Sequence, residues 1–222
     1  MTGQSAGRTL ARVDWAERAD AAIGRYEGGE SRDLDQRQLT QLGNAAWAAG
    51  LSLLMAGRSD EAAEWLRRAA ERYRESWAAG APPDSWGRPI AAMKALLLAG
   101  DDASDAARWA LDAGAATAES PIGRYAGTLA LLVLGDDVGA RILGTTLRDT
   151  ADFPPAVADA LVEVAGADRV DYQIALEHIL DSFEQRTDFL EDIPVADTVL
   201  ALQRLAAARG LAIDLEPSAL LP

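Results

Sequence analysis

His178 is the only histidine of the chain, and it stands three residues before Asp181 in the segment EHILDSFEQRTDFLED, residues 177 to 192. Three residues is close to one helical turn, so on a helix the imidazole and the carboxylate share a side. His178 would then be a general base and Asp181 the group that orients its ring. Glu177, Asp181 and Glu184 fall on one face, Arg186 follows, and Ile179, Leu180 and Phe183 take the side a core would claim. The plainer reading is a solvated helix face with a surface histidine, and it carries more weight. No serine nucleophile motif accompanies His178, and no second histidine exists to share proton transfer. Arg186 better suits a structural or interfacial ion pair than catalysis.

Other chemistries narrow quickly. The chain has no cysteine, which excludes disulfides, thiolate metal sites and cysteine nucleophiles. A di-metal carboxylate bundle needs Glu-x-x-His on each of two helices, which a single histidine cannot supply. A glycosidase-like pair of carboxylates cannot be selected among 35 acidic residues. The segment GDDVGARILG (135 to 144) lacks the lysine of a phosphate-binding loop, and its glycines are explained as helix punctuation. The expectation is no cofactor and no metal, with only a carboxylate-rich site for a hard cation left open.

Charge bounds the partners. Lys and Arg number 21 against 35 acids, a formal net charge of −14. Phosphate-backbone binding needs clustered cations that release counterions, so nucleic acid is excluded and anionic membranes are disfavoured. Lysine occurs once, at Lys94, and arginine supplies the rest, a composition like that of salt-loving microbes or of GC-rich genomes. Such a surface serves solubility in salt and also favours a basic protein partner. The first thirty residues have no apolar signal core, and the longest apolar stretch, Ala126 to Leu134, is too short to span a bilayer. The reading is a soluble cytoplasmic protein whose residues 1–8 are flexible, with its oligomeric state open.

The elements that must position these groups are helices. Much of the apolar content is alanine, which favours helix and close helix packing. LSLLMAGRSDEAAEWL (51 to 66), KALLLAGDDASDAARWAL (94 to 111) and TLALLVLGDDVGARIL (128 to 143) follow one plan: an apolar run, a glycine, polar residues, then an amphipathic segment. Weaker copies span 160 to 180 and 201 to 221. Glycine just past an apolar helical run is the preferred left-handed cap, so hinges are predicted near Gly57, Gly100, Gly135, Gly166 and Gly210. Ser59 or Asp60, and Asp102 or Ser104, are predicted to cap the helices that follow. Pro89, Pro121, Pro155 and Pro194 are predicted to mark helix starts after loops at 78 to 89, 112 to 123, 149 to 155 and 190 to 197. DWAERADAAIGRY adds a helix near the start. The predicted fold is all-α, a single domain of antiparallel helix hairpins.

Trp65 and Trp109 occupy equivalent places in two copies, which favours core packing between units. Trp86, in PPDSWGRP (82 to 89), is the tryptophan most open to a partner-facing role, with a helix-entry staple as the safer reading.

Gly50, Gly57, Ala62, Leu66 and Ala69 have the relative spacings at which tetratricopeptide repeats place their small and packing residues. Residues 44 to 70 thus resemble one such repeat, which implies helix-turn-helix packing in a superhelix. YQIALEHILDSFEQR, followed by VADTVLALQRLAAARG and an extended acidic tail ending in Leu-Leu-Pro, resembles the immunity protein 49 family, helical proteins that neutralise polymorphic toxins in bacteria. The resemblance implies a non-catalytic protein that binds another protein, an immunity-like inhibitor or adaptor. Candidate partner-binding residues are Glu177, His178, Asp181, Glu184, Arg186 and Trp86. The alternative is a small-molecule-binding or enzymatic helical bundle in which Glu177, His178, Asp181 and Arg186 line a pocket.

Overall fold

A computed structural model describes residues 13–222, so the expectation for residues 1–8 lies outside the described residues. Ten α-helices follow one another: α1 (Trp15–Gly29), α2 (Gln36–Met55), α3 (Ser59–Ala78), α4 (Gly87–Ala99), α5 (Ser104–Asp112), α6 (Pro121–Val133), α7 (Asp137–Arg148), α8 (Pro155–Gly166), α9 (Arg169–Glu184) and α10 (Asp197–Ala207). Short 3-10 turns lie at Ala115–Thr117 and Leu190–Asp192. Among the described residues there is no strand, and no helix is long and apolar enough to cross a membrane.

Local chemistry explains most helix ends. Asp35 accepts from the N–H groups of Arg37 and Gln38, while the Gln38 side chain accepts from the Asp35 N–H, a reciprocal cap at α2. Ser120, Asp136 and Asp168 cap α6, α7 and α9 in the simpler way. At the other end, Gly57, Gly100 and Gly135 adopt φ of +75°, +77° and +76°. The N–H after each glycine reaches back to the fifth residue before it: Arg58 to Leu53, Asp101 to Leu96 and Asp136 to Leu131. Carbonyls left open by the last helical turn are satisfied in this way. Gly210 repeats the geometry, with Leu211 N–H donating to the Ala206 carbonyl.

Several expected ends differ. The left-handed residue after α8 is Ala167 rather than Gly166, because α8 continues one residue further and Asp168 N–H reaches the Glu163 carbonyl. Neither Ser59 nor Asp60 caps α3. The flanking residue is Arg58, whose guanidinium instead pairs with Glu61 at 2.6 Å. Asp102 does accept from the Ser104 N–H at 2.9 Å. Pro121 and Pro155 open their helices and Pro89 lies in the first turn of α4, but Pro194 sits in the segment ahead of α10.

Neighbouring helices run antiparallel, as the pairings show. Thr40 meets Ser76, Gly43 faces Tyr73 and Gly50 faces Leu66, three pairs each centred on Arg58 in the α2–α3 turn. The α6–α7 pair is centred near Asp136 and the α7–α8 pair near Phe153, as Thr128 with Gly144 and Gly144 with Val162 indicate. At Gly50 an added Cβ would lie 2.6 Å from Leu66 Cγ, so only glycine permits this approach. One continuous core of alanine, leucine and aromatic side chains runs from α1 to Ile213.

The last third of the chain breaks the nearest-neighbour order. From α9 it turns back through Leu190–Asp192, where the Asp192 carbonyl accepts from Arg18 and Glu191 pairs with Arg25 at 3.2 Å, both on α1. α10 then packs on α4, α8 and α9. Buried Lys94, on α4, donates from Nζ to Asp197 at 2.6 Å and to Thr198 at 2.9 Å. Further along, Arg209 bonds the Asp137 carboxylate and, at 2.7 Å, the Leu132 carbonyl. Burial works against the Lys94 charge, but the Asp197 carboxylate outweighs it and holds the ammonium above its ordinary pKa of 10.5. Its stabilising effect is therefore complete at neutral pH and is lost only as pH rises above that value. Lys94→Met should lower unfolding free energy in urea by about 3 kcal/mol, because Asp197 loses its partner. Adding Asp197→Leu should recover part of the loss.

Candidate functional site

The 177 to 186 segment forms the last two turns of α9 and the residues after it, with Ile179, Leu180 and Phe183 turned into the core. Glu177, His178, Asp181, Glu184 and Arg186 are all exposed. His178 forms no ion pair with Asp181. Glu177 accepts instead from Gln173 at 2.8 Å, Glu184 from Ser218 at 2.7 Å, and the Arg186 guanidinium lies 3.8 Å from the Phe183 ring centroid. Of these groups only His178 borders a hollow, a depression of about 300 Å³ shared with Arg148, Asp159, Glu163 and Asp171. The others sit on open helix surface and do not converge.

At Trp86 burial removes the partner-facing role and leaves the packing one. The residue is only 7% exposed and packs its indole against Trp77, with ring centroids 6.0 Å apart, and against Gly123 of α6. The Pro-rich loop enters α4 here, and the indole fills the space between α3 and α6 that Gly123 leaves open. Trp86 is a packing residue at the helix entrance.

A larger concavity, about 1010 Å³, opens between α3, α4 and α5. Its α3 wall is Arg67, Glu71 and Arg74 with Trp77, spaced at helical intervals along one stripe. Ala92 and Leu96 of α4 form the floor. The opposite wall is Asp101 and Asp102 from the turn, and Asp105, Arg108, Trp109 and Asp112 from α5. Trp77 and Trp109 meet edge to face at 5.7 Å, an arrangement favoured by their ring quadrupoles. The Arg74 guanidinium stands 5.4 Å from the Trp109 centroid.

Charge in this groove is only partly neutralised. Arg67 clasps Asp101 through two hydrogen bonds of 2.6 and 3.0 Å, tying α3 to the turn before α5. That clasp holds the Asp101 carboxyl below its ordinary pKa of 3.8, so its contribution is present at neutral pH and fades as pH falls below that value. Arg108 pairs with Asp105 at 2.7 Å within α5. Glu71, Asp102 and Asp112 have no cationic partner among the described residues. The groove thus joins two indoles in its walls with a surplus of carboxylates over arginines.

Of these groove residues the sequence singles out only Trp109, as packing, and Asp102, as a helix cap, and neither as part of a site. The signal was present as two facing charged stripes, Arg67-Glu71-Arg74 and Asp101-Asp105-Asp112, but only the register of α3 against α5 brings them together. One further acidic group gathers Glu163, Asp168 and Asp171. Asp168 there caps α9 and Glu163 pairs with Arg148, so both carboxylates have structural work. The chain matches no family model, no curated protein and no solved structure.

Burial separates the two kinds of candidate residue. Trp86→Ala should cost roughly 3–5 kcal/mol of stability through the void it leaves. His178→Ala should change stability by no more than about 0.5 kcal/mol, as for other exposed positions. Chemical denaturation of both variants checks the contrast, and a large loss in the histidine variant would give His178 a structural role that its exposure denies.

Proposed function

We propose that this chain is a non-catalytic helical protein that binds a basic protein partner, acting as an immunity-like inhibitor or adaptor. It is built as a tetratricopeptide-like stack of antiparallel hairpins. The observation that carries this reading is the α3–α5 groove, where Trp77 and Trp109 meet between walls that carry three carboxylates without a cationic partner among the described residues. Indoles among charged groups suit protein recognition, because desolvated indoles supply contact energy while the charges steer the encounter. A net charge of −14 extends that steering beyond the groove. The resemblance of the C-terminal third to immunity protein 49 points to the same class of activity.

The bundle alternative, with Glu177, His178, Asp181 and Arg186 around a substrate, lacks a common hollow to hold one. Those residues and Glu184 instead form a second acidic surface, on α9, that a basic partner could meet.

The test is affinity capture of a basic partner from source lysate at low and near-native salt, followed by binding kinetics on the purified pair. Glu71→Lys with Asp112→Arg should weaken association about ten-fold, chiefly through a slower on-rate. Reversing Glu177, Asp181 and Glu184 should leave it nearly unchanged. Loss of binding only in the α9 variant would move the interface there, and failure to capture any partner at either salt would remove the reading.

A further inference from the structure

A different hollow carries a second ligand chemistry. It lies between α2 and the start of α4, has a volume of about 270 Å³, and is lined by Thr40, Asn44, Tyr73, Ser85, Gly87 and Arg88, with Ala91 and Leu190 at its edge. Its lining contains no carboxylate, whereas the α3–α5 groove and the depression beside His178 each contain two or more. In a chain with 35 acids, an acid-free hollow built around an arginine is a local inversion of charge.

Arg88 is half-buried and held only by neutral groups. Its Nε donates to Ser76 Oγ at 2.8 Å, and one Nη donates to Gln36 Oε1 at 2.5 Å and to Thr40 Oγ1 at 3.0 Å. The other Nη has no partner among the described residues, and no carboxylate pairs with this guanidinium. Burial without such a partner works against its charge and lowers its pKa. The Thr40 hydroxyl is spent on the Gln36 carbonyl and on Arg88, but other groups of the lining have protons to offer. Tyr73 donates to Asn44 Oδ1 at 2.9 Å, which turns the Asn44 amide nitrogen outward as a donor. Ser85 Oγ is uncommitted, and the Gly87 N–H opens α4 with no backbone acceptor and no side-chain cap on the helix. Glu191, next to Leu190, does not line the hollow and pairs with Arg25 at 3.2 Å, although its charge is felt at Tyr73.

We infer that this hollow is a binding site for a phosphate group, either free phosphate or that of a small phosphorylated molecule, with the spare Arg88 Nη, Asn44 Nδ2, Ser85 Oγ and Gly87 N–H as its donors. Guanidinium and several neutral donors around a small acid-free cavity match a compact, doubly charged oxyanion with many acceptor sites. The hollow is small, and its lining shares no residue with the α3–α5 groove.

The test uses the full chain with inorganic phosphate as probe, at constant ionic strength set with chloride, and acetate as a second anion. Phosphate should raise the melting temperature and shift the Gly87 amide resonance in a saturable way, with acetate and chloride weaker by about ten-fold or more in apparent affinity. Ala91→Glu places a carboxylate at the hollow without touching the Arg88 hydrogen bonds, and it should abolish both responses while the protein stays folded. Arg88→Lys, which keeps the charge but loses the fork, should weaken them. Equal responses to chloride or acetate, or a phosphate response that survives Ala91→Glu, would overturn the inference. A phosphorylated small molecule that binds more tightly than phosphate, and competes with it, would assign the site to the larger ligand.

Discussion

The only ammonium side chain in the sequence lies in the interior, at Lys94, where α10 crosses α4. A buried cation is tolerable only with a matched anion and further acceptors, and Asp197 and Thr198 supply both from the first turn of α10. Such a pair adds little net stability, since the desolvation of two charges offsets much of their attraction. What it does is exclude alternatives: if α10 slid by one turn, Lys94 would face apolar side chains. The register of the last third of the chain therefore depends on this contact.

That register has consequences for the rest of the molecule. A stack of antiparallel helices would by itself leave one face open along its length. Here Leu190–Asp192 returns to α1 and α2, α10 covers part of α4, and Arg209 reaches the junction of α6 and α7. The chain thus occupies part of its own surface, and a wide concavity stays open between α3, α4 and α5. Arginine is the staple throughout. Arg67, Arg72, Arg148 and Arg209 each join separate elements through carboxylates, so many of the cations are spent inside the fold and the unpaired acids remain outside.

What the sequence disclosed follows the range of the forces involved. The glycine caps at Gly57, Gly100 and Gly135 were legible because a left-handed cap is decided within six residues. The same holds for the start of α6 at Pro121 and the buried stripe Ile179, Leu180, Phe183. At Trp86 two roles stay open in the sequence, because a Pro-rich loop reports the course of the chain and not which neighbouring helix leaves room for an indole. The Arg58 entry to α3 was missed because a guanidinium paired with Glu61 displaces the expected cap. The groove and the Arg88 hollow were invisible for one shared reason: each is assembled from residues far apart in the chain, such as Arg88 with Gln36, 52 positions away, and Arg67 with Asp101, 34 positions away. Periodicity gives the faces of each helix but not which face meets which.

α4 is where these constraints meet. Its thirteen residues serve three neighbours at once: Gly87, Arg88 and Ala91 border the acid-free hollow, Ala92 and Leu96 floor the acidic groove, and Lys94 and Leu98 face α10 and the tail. A helix used on every side should be apolar all round with small residues where partners approach closely, and α4 has that composition, with alanine at 91, 92, 95 and 99. Its one cation in the interior is matched, while Arg88 at its first turn lacks an anionic partner among the described residues. One short helix therefore separates a concavity rich in carboxylates from one lined by neutral groups and a single guanidinium. This division of charge between the two sides of α4, rather than the overall acidity of the chain, is what would let a basic surface and a phosphate group occupy the same molecule without competing.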